Sequence, residues 1–408
     1  MKSIDMAGAL YADAHRELTH HILPYWTSRT VDATHGGFIG AITGGNVPDW
    51  RAPKGIVLNA RILWTFSETA RVLGDAESRL LAHRAFAYIR ARFWDDVAGG
   101  AYWMVDYLGQ PLDTKKYTYA QAFLMYALTA YHRATGNTGA LDWAIDLFDL
   151  LEAHTADPAF GGYFEIYDAT WRRRPMESLS PKDPVAAKSA NTQLHVLEAY
   201  ASLLRIWPDE RLQRRLRQLL DLFLNTIVDP DTHHLRQAFD ADWTAINRLV
   251  SFGHDIEASW LLCDAARTLG DPGQILQAEG EAIAMVRATL NAGVAPDGSL
   301  YNEATPHRLD EDRHWWPQAE AVVGFLNAYE LVHEETFLHQ ASLNWTYIQR
   351  FIVDHDHGEW FFRVSRAGVP YLHEDKVGPW KCPYHNTRAC LEIMERTARI
   401  QAMLAPSR

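Results

Sequence analysis

His195, His254 and His385 stand in three unrelated stretches of the chain, yet each lies near the start of a helical pattern that follows a long connection rich in glycine and aromatic residues. Imidazole titrates near neutrality, so three of them drawn to one place point to proton transfer rather than passive packing. Their neighbours extend the pattern. Asn191 and His195 are four apart in Lys188-Ser-Ala-Asn-Thr-Gln-Leu-His-Val-Leu-Glu-Ala-Tyr200, so they share one helical face, with Glu198 just beyond. His254 and Glu257 are three apart in Ser251-Phe-Gly-His-Asp-Ile-Glu-Ala-Ser-Trp260. A carboxylate beside an imidazole raises its pKa and orients it, as an acid/base catalyst needs. The same pair suits a metal, but no His-x-x-x-His or acidic triad accompanies it, so the expectation is no metal. His385 closes Asp375-Lys-Val-Gly-Pro-Trp-Lys-Cys-Pro-Tyr-His385, where two prolines stiffen the approach to the last helix.

Four further residues invite a role. Arg61 sits among apolar residues in Asn59-Ala-Arg-Ile-Leu-Trp64, and a buried guanidinium is costly unless it bridges acids or meets a polar ligand. Tyr119 and Trp316 open two helical patterns, and Glu320 follows Trp316 by one turn. The chain holds 15 Trp, 17 Tyr and 16 Phe. Most suit a core, but Trp94-Asp95, Trp103, Trp315-Trp316 and Trp380-Lys381 set flat apolar faces beside hydrogen-bonding groups, as a sugar cleft requires.

Apolar residues at helical spacing predict about twelve helices, near 5–25, 51–73, 76–93, 116–136, 138–153, 184–206, 209–226, 252–270, 272–290, 313–332, 336–352 and 382–403. Their connections alternate between long and short. The short ones hold turn or cap signals: Gly74-Asp75, Gly136-Asn137, Trp207-Pro208 and Gly270-Asp271-Pro272. The long ones repeat a glycine–aromatic signature, in His35-Gly-Gly-Phe38, Gly99-Gly-Ala-Tyr-Trp103 and Gly161-Gly-Tyr-Phe164. Weaker copies are His233-His-Leu235, Asp297-Gly-Ser-Leu-Tyr301 and His357-Gly-Glu-Trp-Phe361. Each reads as a tight turn feeding a short strand. Six helix–hairpin–helix units at roughly sixty to seventy residues suggest either an open superhelix or a closed ring. The second helix of each unit is the more apolar; Val185–Leu204 and Phe252–Leu269 look buried nearly all round, which favours an all-α (α/α)6 barrel. The long connections then share one rim, at the N-terminal ends of the inner helices, and residues 1–408 form a single catalytic domain.

The segments Asn191–Tyr200, Ser251–Trp260, Trp315–Asn327 and Asp375–Asn386 resemble those of cellobiose 2-epimerases, within the N-acylglucosamine 2-epimerase superfamily. The likeness runs over essentially the whole chain, and Lys376-Val-Gly-Pro-Trp-Lys-Cys-Pro-Tyr-His385 is its most specific part. The resemblance implies an (α/α)6 barrel and cofactor-independent epimerisation at C2 of a reducing-end glucose, an isomerase of carbohydrate metabolism. It also implies roles: His254 and His385 as the acid/base pair, His195 and Arg61 near the reacting carbons, and Glu257 supporting His254. Tyr119, Asn191, Trp316, Trp380 and Glu320 would bind the sugar. One departure is Gln193, where members often carry histidine; an amide is no base, so that position is expected to act from behind the site.

The expected substrate is a β-1,4-linked disaccharide. The rivals are a mannose/glucose 2-epimerase or aldose–ketose isomerase, an (α/α)6 glycoside hydrolase and a non-catalytic sugar-binding ring. A hydrolase needs two carboxylates about 5–9.5 Å apart, for which Glu257 and Glu320 are candidates, but it leaves three histidines unexplained. Composition agrees with a soluble enzyme. The 408 residues are 48% hydrophobic, and a formal charge of −12 without basic runs argues against nucleic acid or anionic membrane as partner. Three cysteines without metal spacing, and an N-terminus lacking an apolar signal core, point to the cytoplasm. The expected assembly is a monomer or weak homodimer.

Overall fold

The computed structural model describes residues 2–175, 177–178 and 184–405. Helices α1 (Ser3–Glu17) and α2 (Leu23–Arg29) form one rod interrupted by a π turn at Leu18–Ile22. There follow α3 (Ile56–Leu73), α4 (Ala76–Arg92), α5 (Thr118–Thr135), α6 (Thr138–His154), α7 (Ala190–Leu204) and α8 (Glu210–Leu222). The chain continues with α9 (Phe252–Leu269), α10 (Pro272–Ala292), α11 (Trp315–Val332), α12 (Glu335–Tyr347) and α13 (Tyr384–Leu404). The rods match the sequence expectation, except that α3, α7 and α13 begin later. Residues just before them are taken into strand pairing or contain proline, and Val185 lies exposed in the connection ahead of α7.

The ring closes. Contacts run α3–α5–α7–α9–α11–α13 and back from α13 to α3, while α4, α6, α8, α10 and α12 pack outside and α1 covers α13. Burial separates the layers. Every residue of α3 from Ile56 to Ala70 is buried, whereas α8 buries only Leu212, Leu216, Leu219 and Leu220, one apolar stripe. Each fully buried aliphatic side chain contributes about 1.5–3 kcal/mol, so the doubly covered inner helices hold most of the driving force. This is the (α/α)6 barrel expected from the alternation of connections.

The hairpins on the rim repeat one device. In most of them an aspartate opens the turn and its Oδ1 accepts backbone N–H groups two and three residues on: Asp32 from Thr34 and His35, Asp95 from Val97 and Ala98, Asp354 from Asp356 and His357. A buried lysine just before the inner helix then binds that aspartate, Lys54 to Asp32 at 2.7 Å, Lys116 to Asp95 at 2.8 Å, Lys188 to Asp157 at 2.6 Å, and Lys376 to Asp354. The paired glycines have positive φ, as at Gly161 (73°) and Gly162 (71°); the weak copies put His233 (58°) and Glu359 (63°) in the same left-handed region. Short strands stitch each unit to the next: Lys54–Gly55 to Met104–Val105, Lys116–Tyr117 to Ile166–Tyr167, Lys188–Ser189 to Ala238–Phe239, Val250–Ser251 to Glu303–Thr305 and Arg313–His314 to Arg363–Val364. An antiparallel bridge from Val377 back to Ile42 completes the circle.

Candidate active site

All six inner helices start at the hairpin rim, so the first two turns of each point residues toward the barrel axis. Those turns contain Arg61, Tyr119, Asn191, His195, His254, Glu257, Trp316, Glu320 and His385, and the loop ahead of α13 adds Trp380. His195 and His385 are buried, His254 is half-buried, and the three belong to one site. His254 and His385 pack against the indole of Trp316, with ring centres 4.7 and 5.7 Å away, and His195 packs on Tyr119 at 5.1 Å and Phe123 at 4.5 Å. Trp380 meets Tyr119 and Trp103, each at 5.7 Å. A cleft bordered by Asn191, Gln237, Asn247, Ser251 and His254 opens from this floor between the strands ahead of α7 and α9.

Each histidine has a different environment. His385 Nδ1 donates to Glu320 Oε1 at 2.7 Å and His195 Nδ1 to Glu198 Oε2 at 2.9 Å. Each carboxylate fixes the tautomer, leaving Nε2 as the proton acceptor. His254 Nδ1 is buried without a partner among the described residues. Burial, together with the charge of neighbouring groups, pushes all three imidazoles below the ordinary histidine value: His254 to about 3, His385 well down beside Arg61 and Arg388, and His195 down despite Glu198. All three are therefore neutral near pH 7.

Beneath them lies a cluster organised by Arg388, itself 2% exposed. Its Nη1 donates to Glu198 and Tyr384, and its Nη2 donates to Glu257 Oε1 at 2.5 Å and Glu320 Oε1 at 2.7 Å. Tyr384 donates to Glu198 Oε1 at 2.7 Å and Trp260 Nε1 to Glu320 Oε2 at 3.2 Å. Arg61 is held differently, by Tyr119 Oη at 2.7 Å and the Trp380 carbonyl at 3.3 Å, with its Nε buried and unpartnered among the described residues. Arg61 thus bridges no acid among the described residues, and its guanidinium lies instead over the Phe123 and Tyr384 rings, 4.2 and 5.1 Å from their centres.

A family model for N-acylglucosamine 2-epimerase matches residues 11–389. The chain belongs to the N-acylglucosamine 2-epimerase family. Within it, the chain is 44% identical over 387 residues to cellobiose 2-epimerase of Bacteroides fragilis, covering 94% of this chain and 98% of that protein. It is 38% identical over 388 residues to cellobiose 2-epimerase of Ruminococcus albus, covering 95% and 99%. The solved cellobiose 2-epimerase of Bacillus thermoamylovorans superposes with a TM-score of 0.91 at 39% identity, over 95% of this chain and 100% of that one.

Two expectations for this family member need correction. Glu257 does not support His254: it binds Arg388, because one turn of α9 aims it at the barrel axis while His254 turns toward Trp316. Glu320 accepts from His385 and Arg388 on Oε1 and from Trp260 on Oε2. Trp94 lies away from the site, its ring 5.2 Å from Trp143 on the outer helix α6, and Trp315 is buried behind His385. Gln193 does act from behind: Oε1 accepts the Tyr163 N–H and Nε2 donates to the Tyr163 carbonyl, each at 2.9 Å. Gln121 clamps Ala101 and Gln318 clamps Leu300 in the same way, one turn into their own inner helices. Arg388 was missed. Its signal in the sequence was weak, because His385, Asn386 and Thr387 precede it and hide the apolar surroundings that singled out Arg61.

The atoms of Glu257, Glu320 and His385 lie within 4.8 Å of one another, a spacing that suits a cation. Arg388 Nη2 already donates to both carboxylates, so a guanidinium fills that electrostatic role. No helix among the described residues is long and apolar enough to cross a membrane.

Proposed function

We propose that this chain is a sugar 2-epimerase that converts the reducing-end glucose of cellobiose-like β-1,4 disaccharides to mannose. The observation that carries the reading is the pair of neutral imidazoles, the half-buried His254 and the buried His385, lying against the one indole of Trp316. The relatives named above share that substrate class in their names and match almost the full length of the chain.

The C2 proton of an aldose becomes acidic only once the ring has opened to a C1 carbonyl. His385 Nε2, backed by Glu320, is suited to move the ring-opening proton and to take the C2 proton, because Glu320 stabilises the imidazolium that forms. The products of that step are a cis-enediolate and His385-H⁺. Arg61 supplies the buried donor for the enediolate oxygen, a contribution of about 2.7–4 kcal/mol for a well-placed donor. After rotation about C2–C3, the proton held as His385-H⁺ passes through the enediol oxygens to His254, which delivers it to the opposite face of C2, so that both imidazoles end neutral. His195, Asn191 and Tyr119 hold the sugar hydroxyls, and Trp316 and Trp380 supply flat apolar faces. No redox partner or metal enters this sequence of proton transfers. The chain acts as one catalytic domain over residues 1–408, of which Met1, residue 176, residues 179–183 and residues 406–408 lie outside the described set. Its three free, buried cysteines support a cytoplasmic setting, with a monomer or weak homodimer as the working assembly.

Incubation with cellobiose and, separately, with mannose, followed by sugar chromatography in D2O, tests the reading. The expected product is 4-O-glucosyl-mannose deuterated at C2. Turnover of mannose alone would move the assignment to the monosaccharide enzymes, and release of free glucose would favour a hydrolase.

A further inference from the structure

Three buried carboxyl groups surround the Arg388 guanidinium, but they are not equally provided for. Glu198 Oε1 accepts from Arg388 and Tyr384 and its Oε2 from His195, so both oxygens are covered. Glu320 is equally saturated, by Arg388 and His385 on Oε1 and by Trp260 on Oε2. Glu257 receives only Arg388 Nη2, on Oε1, and that group is shared with Glu320. Its Oε2 is buried without a hydrogen-bond partner among the described residues. An ionised carboxylate with an unpartnered buried oxygen is costly, and one guanidinium does not neutralise three acids. The charged and titratable groups facing Glu257 are Arg388, His385 and Tyr384 from α13, Glu320 from α11, Glu198 from α7 and Tyr119 from α5, while Arg61 is held by Tyr119 and Trp380 rather than by an acid.

We infer that Glu257 is kept as a neutral carboxylic acid, its proton on Oε2, and that this O–H is the hydrogen-bond donor offered to the sugar oxygen on which negative charge develops. The inference rests on the epimerase reading for its substrate, but not for the protonation state. Burial and the Glu320 charge raise the Glu257 pKa, in agreement with the donor count. Arg388 becomes the positioning residue of the site: it holds Oε1, so the proton has one place left to sit, and it anchors the two carboxylates that orient His195 and His385.

The test has two independent arms. Infrared difference spectra of the intact protein at neutral pH, wild type minus Glu257→Gln, should show the carbonyl stretch of a protonated carboxyl that the variant lacks and that fades as pH is raised. Absence of that band overturns the inference whatever the enzyme's substrate, and Glu257→Ala gives the same spectral comparison if the amide variant fails to fold. In the activity arm, Glu257→Gln, whose amide can still donate, should lower kcat by about tenfold or less, while Glu257→Ala lowers it about 100- to 1,000-fold. The alkaline limb of kcat/KM should be lost in Glu257→Gln. Equal loss in both variants with an unchanged alkaline limb means that the charged form is the working one, and the inference fails. A positive spectral result without epimer from any disaccharide would sink the substrate assignment alone.

Discussion

At the scale of single residues, the site separates proton carriers from the groups that hold them. His385 has its own carboxylate and His254 has none, so the two bases are not interchangeable even though both are neutral. Replacing either by Asn should lower turnover of cellobiose by about 100- to 10,000-fold, the usual worth of a positioned acid/base group, with an unchanged circular dichroism spectrum. Retained activity in both variants would refute the roles. The pH dependence follows from the direction of the shifts. A histidine whose folded pKa is depressed stays neutral, and able to accept a proton, well below the ordinary value of about 6.5. The acid limb of kcat/KM should therefore begin clearly below pH 6.5, read from initial rates across the acid range. By the same sign, stability is full above that value and declines as pH falls below it, because the unfolded chain binds protons that the buried imidazoles refuse.

Whole elements are positioned by a device that serves no chemistry. On α5, α7 and α11 a glutamine in the first turn makes a two-bond clamp on the backbone of the neighbouring hairpin. Helix α9 uses Asp255 instead, which accepts the Leu235 N–H and pairs with His234 at 2.7 Å. The close approach is possible because the residue ahead of the clamped one is small: a Cβ on Gly162 would lie 2.5 Å from the Trp243 ring and 2.9 Å from Gln193 Oε1. Gln193→Leu strands two buried backbone groups and should cost about 1–3 kcal/mol for each, seen as a lower urea midpoint. Gln193→His should not raise turnover, since the new ring would face the hairpin rather than the sugar.

The molecule as a whole depends on closing the ring. At the seam Glu359, completely buried, accepts from Trp26 of α2, from Lys381 at 2.5 Å and from Asn386 of α13 at 2.7 Å. Glu17 of α1 accepts the Trp360 indole N–H at 2.8 Å beside it. These bonds join the first rod of the chain to the last helix, and α13 brings His385 and Arg388 to the axis. Glu359→Ala leaves the Lys381 ammonium buried and unpaired, a loss of about 3–5 kcal/mol. Denaturant unfolding should show that loss, and activity should fall with it as α13 loosens. A variant as stable as the parent would mean that the seam is held by apolar packing alone.

Much of this was legible in the chain itself. Helical periodicity and glycine–aromatic turns are local properties, and their alternation placed the long connections on one rim and the histidines on inner helices. Arg61, His195, His254 and His385 could be chosen because each puts a polar group early in such a helix, and Tyr119 and Trp316 because each opens one. The partnerships were not legible. Whether Glu257 meets His254 on its own helix or Arg388 from more than a hundred residues away depends on which inner helices face each other across the axis. Sequence spacing carries no information about that. The partners of Glu320 were hidden for the same reason, since His385, Arg388 and Trp260 reach it only once the ring has closed. Residue types determined what chemistry was available; closure of the barrel decided which acid each histidine received and which carboxyl was left with a proton to give.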